Sequence, residues 1–342
     1  MLRTLLTTTC VLAFAGPGAF AADNLFLPDL RPAYPDAWEL EEENPLRFEF
    51  GARYWYTLGG FDTDLSGFDL KTEDTTHILE LHGRIEDLGT DSYVKAIGGF
   101  GVVNTGSYNL DGEDGDMVGN TVAYAGGDFG WMPFGDMREG YSLGGLVGYQ
   151  YWKEAPDTGR ASFTVAETAA DIDYSPETGA WSVGFDSEPN NFDIHAVRLG
   201  AAARFELAKS IDLTAEAVAI PYAYIDGTFG AHDLNPTSSG NLVRYQGSTT
   251  TIAGHAYGAS GELLVGFHPT ENLTVRFGGR AWYLNGQYDA ETEVATIQPP
   301  QPNAEAPPNF TAPTLSRQRY IQTDNPFSLF RYGALFELTG RF

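Results

Sequence analysis

The stretch Leu329-Phe330-Arg331-Tyr332-Gly333-Ala334-Leu335-Phe336-Glu337-Leu338-Thr339-Gly340-Arg341-Phe342 decides the fold. In an extended chain successive side chains point to opposite sides. Tyr332, Ala334, Phe336, Leu338, Gly340 and Phe342 therefore share one face, while Arg331, Glu337, Thr339 and Arg341 share the other. One face suits an apolar medium and the other a polar one. A tilted strand of ~10 residues crosses a bilayer, and this alternation is long enough to do so.

Working outward, the first 21 residues read as a cleavable export signal, with Arg3 in the n-region, an apolar run at Val11–Ala15 and a small-residue site at Ala19-Phe20-Ala21. Cys10 lies inside this segment, so the mature chain has no cysteine, which excludes disulfides, Cys-ligated zinc and thiol catalysis. No later segment offers the ~18 uninterrupted apolar residues of a membrane helix, so any spanning is by strands. Forty Gly, 18 Tyr and 22 Phe suit strands with lipid-facing outer sides and aromatic girdles. These features together predict an all-β, transmembrane antiparallel β-barrel of the bacterial outer membrane. The closing aromatic residue resembles the signal read by the barrel-assembly machinery. The formal charge of −26 argues against nucleic acid as a partner. Acidic residues crowd the connections, where they attract divalent cations or basic peptides.

Period-2 alternation gives ten candidate strands near 46–58, 75–87, 92–104, 121–134, 140–154, 192–207, 211–225, 250–267, 272–286 and 329–342. Short connections near 88–91, 135–139, 208–210 and 268–271 alternate with long ones near 59–74, 105–120, 155–191, 226–249 and 287–328. Tight periplasmic turns and long extracellular loops produce that rhythm. The predicted organisation is a signal peptide over 1–21, an acidic, Pro-containing periplasmic extension over 22–44 and the barrel over 45–342. Arg53, Glu80, His82, Arg84, Lys95, Arg198, Arg204, Glu216, Glu262, Arg276 and Arg280 fall on the lumen face. In ten strands such mixed charges pair rather than line a pore.

Two stretches carry a family resemblance. Residues Thr121–Trp131, the turn Gly135-Asp136-Met137-Arg138 and Tyr141–Gln150 look like the fourth and fifth strands of the omptins, the ten-stranded outer-membrane proteases of Gram-negative bacteria. The hairpin Gly261–Val275 resembles strands eight and nine of that family. The resemblance implies a proteolytic site built from two acidic residues on the second loop and an Asp-x-His pair on the fourth. These surround a water, with His taking its proton and the carboxylates holding it.

On the second loop, Asp114-Gly115-Asp116 fits the acidic pattern; on the fourth, His232 is preceded two residues earlier by Gly230 and followed directly by Asp233. Asp114, Asp116, His232 and Asp233 are thus the candidate catalytic residues, with the Asp-x-His spacing missing. An intact Asp193-Ile194-His195 stands at the entry to the sixth strand instead. The resemblance also implies lipopolysaccharide binding on the outer barrel wall, where Tyr149 and Lys153 align with part of that site and share a face with Tyr151. An ordinary aromatic girdle ending in a snorkelling Lys explains the same residues. Asp111, Glu113, Asp114 and Asp116 offer hard oxygen ligands for a divalent cation, without EF-hand order. The histidines are scattered singly, so no resident metal or other cofactor is expected.

Three functions remain open on the sequence. A non-catalytic, surface-displayed scaffold leads, binding lipopolysaccharide, cations or basic peptides through its long loops. An omptin-type endopeptidase cleaving near basic residues follows, and a small channel or transporter comes third.

Overall fold

The computed structural model describes residues 45–65, 68–159, 162–230, 237–303 and 309–342. The expected signal peptide over 1–21 and extension over 22–44 lie outside the described residues. Ten long strands dominate: β1 (Leu46–Leu65), β2 (Phe68–Asp87), β3 (Ser92–Leu110), β4 (Gly119–Gly135), β5 (Tyr141–Asp157), β6 (Asn191–Ala208), β7 (Ile211–Phe229), β8 (Thr250–Thr270), β9 (Leu273–Gln298) and β10 (Thr314–Arg341). Each pairs antiparallel with its sequence neighbours. β10 also pairs with β1, from Glu49↔Arg341 to Thr63↔Phe327, and the ring closes. Closure leaves the barrel wall no free edge, which is what lets strands cross hydrocarbon.

All ten strands fall where alternation placed them, but they run further at the rim of long connections. β1 and β2 stay paired up to Leu65↔Phe68, so the first expected long loop is a continued ladder. β9 and β10 likewise pair out to Gln298↔Thr314. At ~3.3 Å per residue these strands far outreach a bilayer crossing of ~10 residues. Their upper parts lack the apolar outer face that identified the lower parts; backbone pairing and buried inward side chains such as Leu65 and Leu70 carry them. The remaining long connections hold short elements: Glu113–Asp116 folds back on β3, and Leu242–Gln246 pairs with the upper end of β9.

Outside, Leu79, Leu81, Val94, Phe129, Val147, Leu199, Leu263, Phe277, Phe336 and Leu338 are exposed around the wall. Such a continuous apolar surface is untenable in water and is what hydrocarbon requires. Inside, the core is the lumen itself. Trp152 stacks on Tyr124 at 4.8 Å and on Trp282 at 4.5 Å, with Trp55 edge-on at 6.4 Å. Aromatic pairs of this kind contribute about 0.5–1.5 kcal/mol each beyond burial. Gly99 makes the stack possible, because a Cβ there would stand 2.4 Å from the Tyr124 ring. Further toward the long-connection rim, Phe61, Leu65, Leu70, Phe192, Phe229, Phe327 and Leu329 form a buried apolar filling.

Candidate functional site

Two places concentrate chemistry: the lumen and the upper outer wall. In the lumen, strand alternation brings every expected charged residue inward. Arg53 donates to Glu80 at 2.9 Å and to Glu337 at 2.6 Å, and Arg280 donates to Glu80 and Glu262, each at 2.7 Å. Tyr124 donates its hydroxyl to Glu80 at 2.5 Å, joining this layer to the aromatic stack. Arg198 reaches Asp128 at 2.9 Å, and Lys95 reaches Glu216 at 2.5 Å. Higher up, buried Arg331 donates to Asp74 at 2.9 Å and to Glu154 at 2.7 Å.

Low-dielectric surroundings make such pairs strong when complete and costly when one partner is lost. Two cavities among these side chains measure about 50 Å³ and about 30 Å³, room for a few waters and no solute. The expectation that lumen charges pair is borne out.

On the outer wall, the apolar belt gives way abruptly to polar side chains. Above Val147 on β5 come Tyr149, Tyr151 and Lys153; above Leu199 and Val197 on β6 come His195 and Asp193; on β7 stand Tyr224 and Asp226. Register sets Tyr151 opposite His195 and Lys153 opposite Asp193, and, on the other side of β6, Tyr224 opposite His195.

The Tyr149 hydroxyl lies 2.6 Å from His195 Nδ1, and Tyr151 donates to Asp193 at 2.5 Å. Lys153 Nζ is 3.9 Å from Asp193, and His195 Nε2 is 3.8 Å from Asp226. Asn191 donates to the second Asp193 oxygen at 2.8 Å. This is a surface of rings, donors and one ammonium suited to sugar hydroxyls and phosphate oxygens.

Of the sequence candidates, Tyr149 and Lys153 thus share one patch. Asp193 and His195, singled out only as a misplaced Asp-x-His, join it, because alternation turns both to the outer face. Sequence reading missed Tyr224 and named Asp226 only as a residue that the fourth loop could bring to His232; the register of β7 against β6 sets both alongside this patch. Asp114 and Asp116 are both exposed on the short strand that returns along β3. They pair with Asn109 and Ser107, whose side chains point away from the lumen, and Asn109 donates to Asp114 at 2.7 Å. Asp226 also points outward. His232 and Asp233 lie outside the described residues. Among the described residues, no group of three or more His, Cys, Asp or Glu side chains is arranged to hold a metal ion.

A closed ten-stranded antiparallel ring, with paired charges inside and an apolar belt outside, is the architecture of outer-membrane β-barrels. The outer membrane protease OmpT from Escherichia coli has a similar structure, with 8% sequence identity over 87% of this chain and 96% of that one, at a TM-score of 0.53. That likeness is one of fold alone. The translocator domain of the autotransporter NalP from Neisseria meningitidis (11% identity, 90% and 92% covered, TM-score 0.32) and the Pseudomonas putida toluene transporter TodX (8%, 90% and 91%, 0.26) are less similar. No protein-family model and no curated protein matches the sequence. The barrel expected from the resemblance is therefore present, without a sequence match behind omptin membership.

Proposed function

We propose that this chain is a non-catalytic surface barrel of the bacterial outer membrane, seated in lipopolysaccharide and displaying its long-connection rim to the outside. The observation that carries this reading is the outer patch of Tyr149, Tyr151, Lys153 and His195, placed where the apolar belt ends. Polar side chains at that height meet the headgroup layer, where rings stack on sugars and an ammonium meets phosphate. The filled lumen favours a scaffold over a channel, since neither cavity admits a solute. The long-connection rim is acidic, as at Asp111, Glu113, Asp114 and Asp116, and would receive cations or basic peptides from outside.

The test is the lipopolysaccharide retained by barrels refolded with it and washed in detergent. Paired Tyr149→Ala and Lys153→Ala substitutions lower that retention several-fold if the patch is the seat. Unchanged retention removes the patch from the account.

A second reading, an omptin-type endopeptidase, is favoured by one observation: Asp114 and Asp116 stand together, exposed, on a hairpin of the outward rim. It requires His232 and Asp233 to meet them.

A further inference from the structure

The face of β9 that carries Trp282 and Leu284 continues into the long-connection rim with Ala290, Thr292 and Val294. On β10, Tyr320 stands opposite Thr292 and Gln322 opposite Ala290. On the other side of β9, the strand Leu242–Gln246 sets Gln246 opposite Val294 and Arg244 opposite Thr296. Phe68, at the tip of the β1–β2 hairpin, completes the wall of a cavity of about 310 Å³, which Arg244, Thr292, Glu293, Tyr320 and Gln322 also line. Ligand pockets begin at ~300 Å³, so this one has room for a single ring, unlike the small voids of the lumen.

The lining asks for a partner. Thr292 is only 7% exposed, and its hydroxyl has no hydrogen-bond partner among the described residues; the side-chain oxygen of Gln322, also shielded from solvent, has none either. Buried polar groups are normally paired. An amide oxygen only accepts, whereas a hydroxyl both donates and accepts, so an occupant bearing hydroxyls satisfies the two together.

The charges narrow the chemistry. Glu293 is bound to Arg317 at 2.7 Å, while Arg244 has no ion-pair partner among the described residues. Beside Phe68, Asp64 and Asp69 stand opposite each other on the hairpin tip without lining the cavity, and Lys71 is 3.5 Å from Asp69. That acidic flank disfavours a doubly charged phosphate and leaves a single carboxylate as the anion for Arg244, whose guanidinium can hold it through two parallel N–H···O bonds. The electron-rich faces of Phe68 and Tyr320 suit the C–H face of a sugar ring.

We propose that this rim cavity binds one sugar acid, with its carboxylate on Arg244, its hydroxyls on Thr292 and Gln322, and its ring against Phe68 and Tyr320. Tyr149 and Lys153 take no part, so the site stands independently of the glycolipid seat on the outer wall. It makes the rim a place of recognition above a lumen that stays filled.

The experiment measures D-glucuronate binding to the full refolded barrel in detergent, by saturation-transfer NMR and calorimetric titration at constant ionic strength. Heat-modifiable gel migration confirms that each variant has folded. Glucuronate is expected to bind. Glucose, which keeps the ring and hydroxyls but lacks the carboxylate, is expected to bind at least about tenfold more weakly, the usual effect of losing a charge-assisted hydrogen bond. Arg244→Gln should bring glucuronate down to the level of glucose. Thr292→Val, which keeps the shape and removes the hydroxyl, should weaken glucuronate several-fold. Gln322→Glu, which sets one carboxylate against another, should weaken glucuronate more than glucose. A folded barrel that binds neither sugar, or that binds 4-hydroxybenzoate in place of glucuronate, overturns the assignment. So does glucuronate binding that Arg244→Gln and Thr292→Val both leave unchanged.

Discussion

Arg53 on β1 donates through Nε to Glu337 on β10 at 2.6 Å, inside the seam that closes the barrel. Glu337 also accepts from Arg276 at 2.6 Å and from the Thr339 hydroxyl at 2.7 Å, so one carboxylate ties three donors across strands β1, β9 and β10. Removing it leaves two buried guanidinium groups short of a partner. Glu337→Ala is expected to cost about 3–5 kcal/mol, read as a lowered urea midpoint of the refolded barrel. Arg53→Met added to Glu337→Leu is expected to cost less than the sum of the two single changes, because one of the two stranded charges goes with its partner.

A glycine pair separates packing from backbone effects. The Arg331 guanidinium lies where a side chain on Gly59 would be, with Cζ 2.5 Å from the position of a Cβ. Gly59→Ala is expected to displace it from Asp74 and Glu154, at a cost on the order of 3 kcal/mol in chemical unfolding. At adjacent Gly60 the nearest atom, the Thr72 carbonyl oxygen, is 3.6 Å away, so Gly60→Ala is expected to stay within about 1 kcal/mol.

In the third long connection, Asp171 accepts from the Thr168 N–H at 2.7 Å, the Thr168 hydroxyl at 2.9 Å and the Glu167 N–H at 3.1 Å. These donors, led by the Thr168 N–H, hold its carboxyl below the usual aspartate range. A depressed folded-state value means the turn gains from ionised Asp171 above the unfolded value of about 3.9, and loses that gain as pH falls through the folded value. Carboxyl NMR titration should place Asp171 below that reference. A midpoint at or above it would mean the turn does not form.

How much was legible follows from which forces act locally. Alternation between a lipid and a polar face writes itself into sequence, so the second strand's Leu79, Leu81 and Ile85 against Glu80, His82 and Arg84 gave both its place and its faces. Above the membrane that contrast vanishes. Thr72, Asp74 and Thr76 carry β2 onward with no apolar outer partner, and the ladder there depends on β1 and β3. The aromatic stack was hidden for another reason: Trp55, Tyr124, Trp152 and Trp282 come from four strands that only the register brings to one level. The outer patch was half visible. Tyr149 and Lys153 are two residues apart from Tyr151 on one strand, but Asp193 and His195 looked misplaced until β6 was seen turning both outward.

The most direct test of a non-catalytic barrel is mass-spectrometric cleavage of a dibasic peptide pool by the protein refolded in detergent with lipopolysaccharide. Heat-modifiable gel migration on the same sample reports that the barrel has folded. The account predicts intact peptides from folded barrel. Cleavage that disappears in both Asp114→Ala and His232→Ala would contradict it and establish a protease with a rearranged dyad.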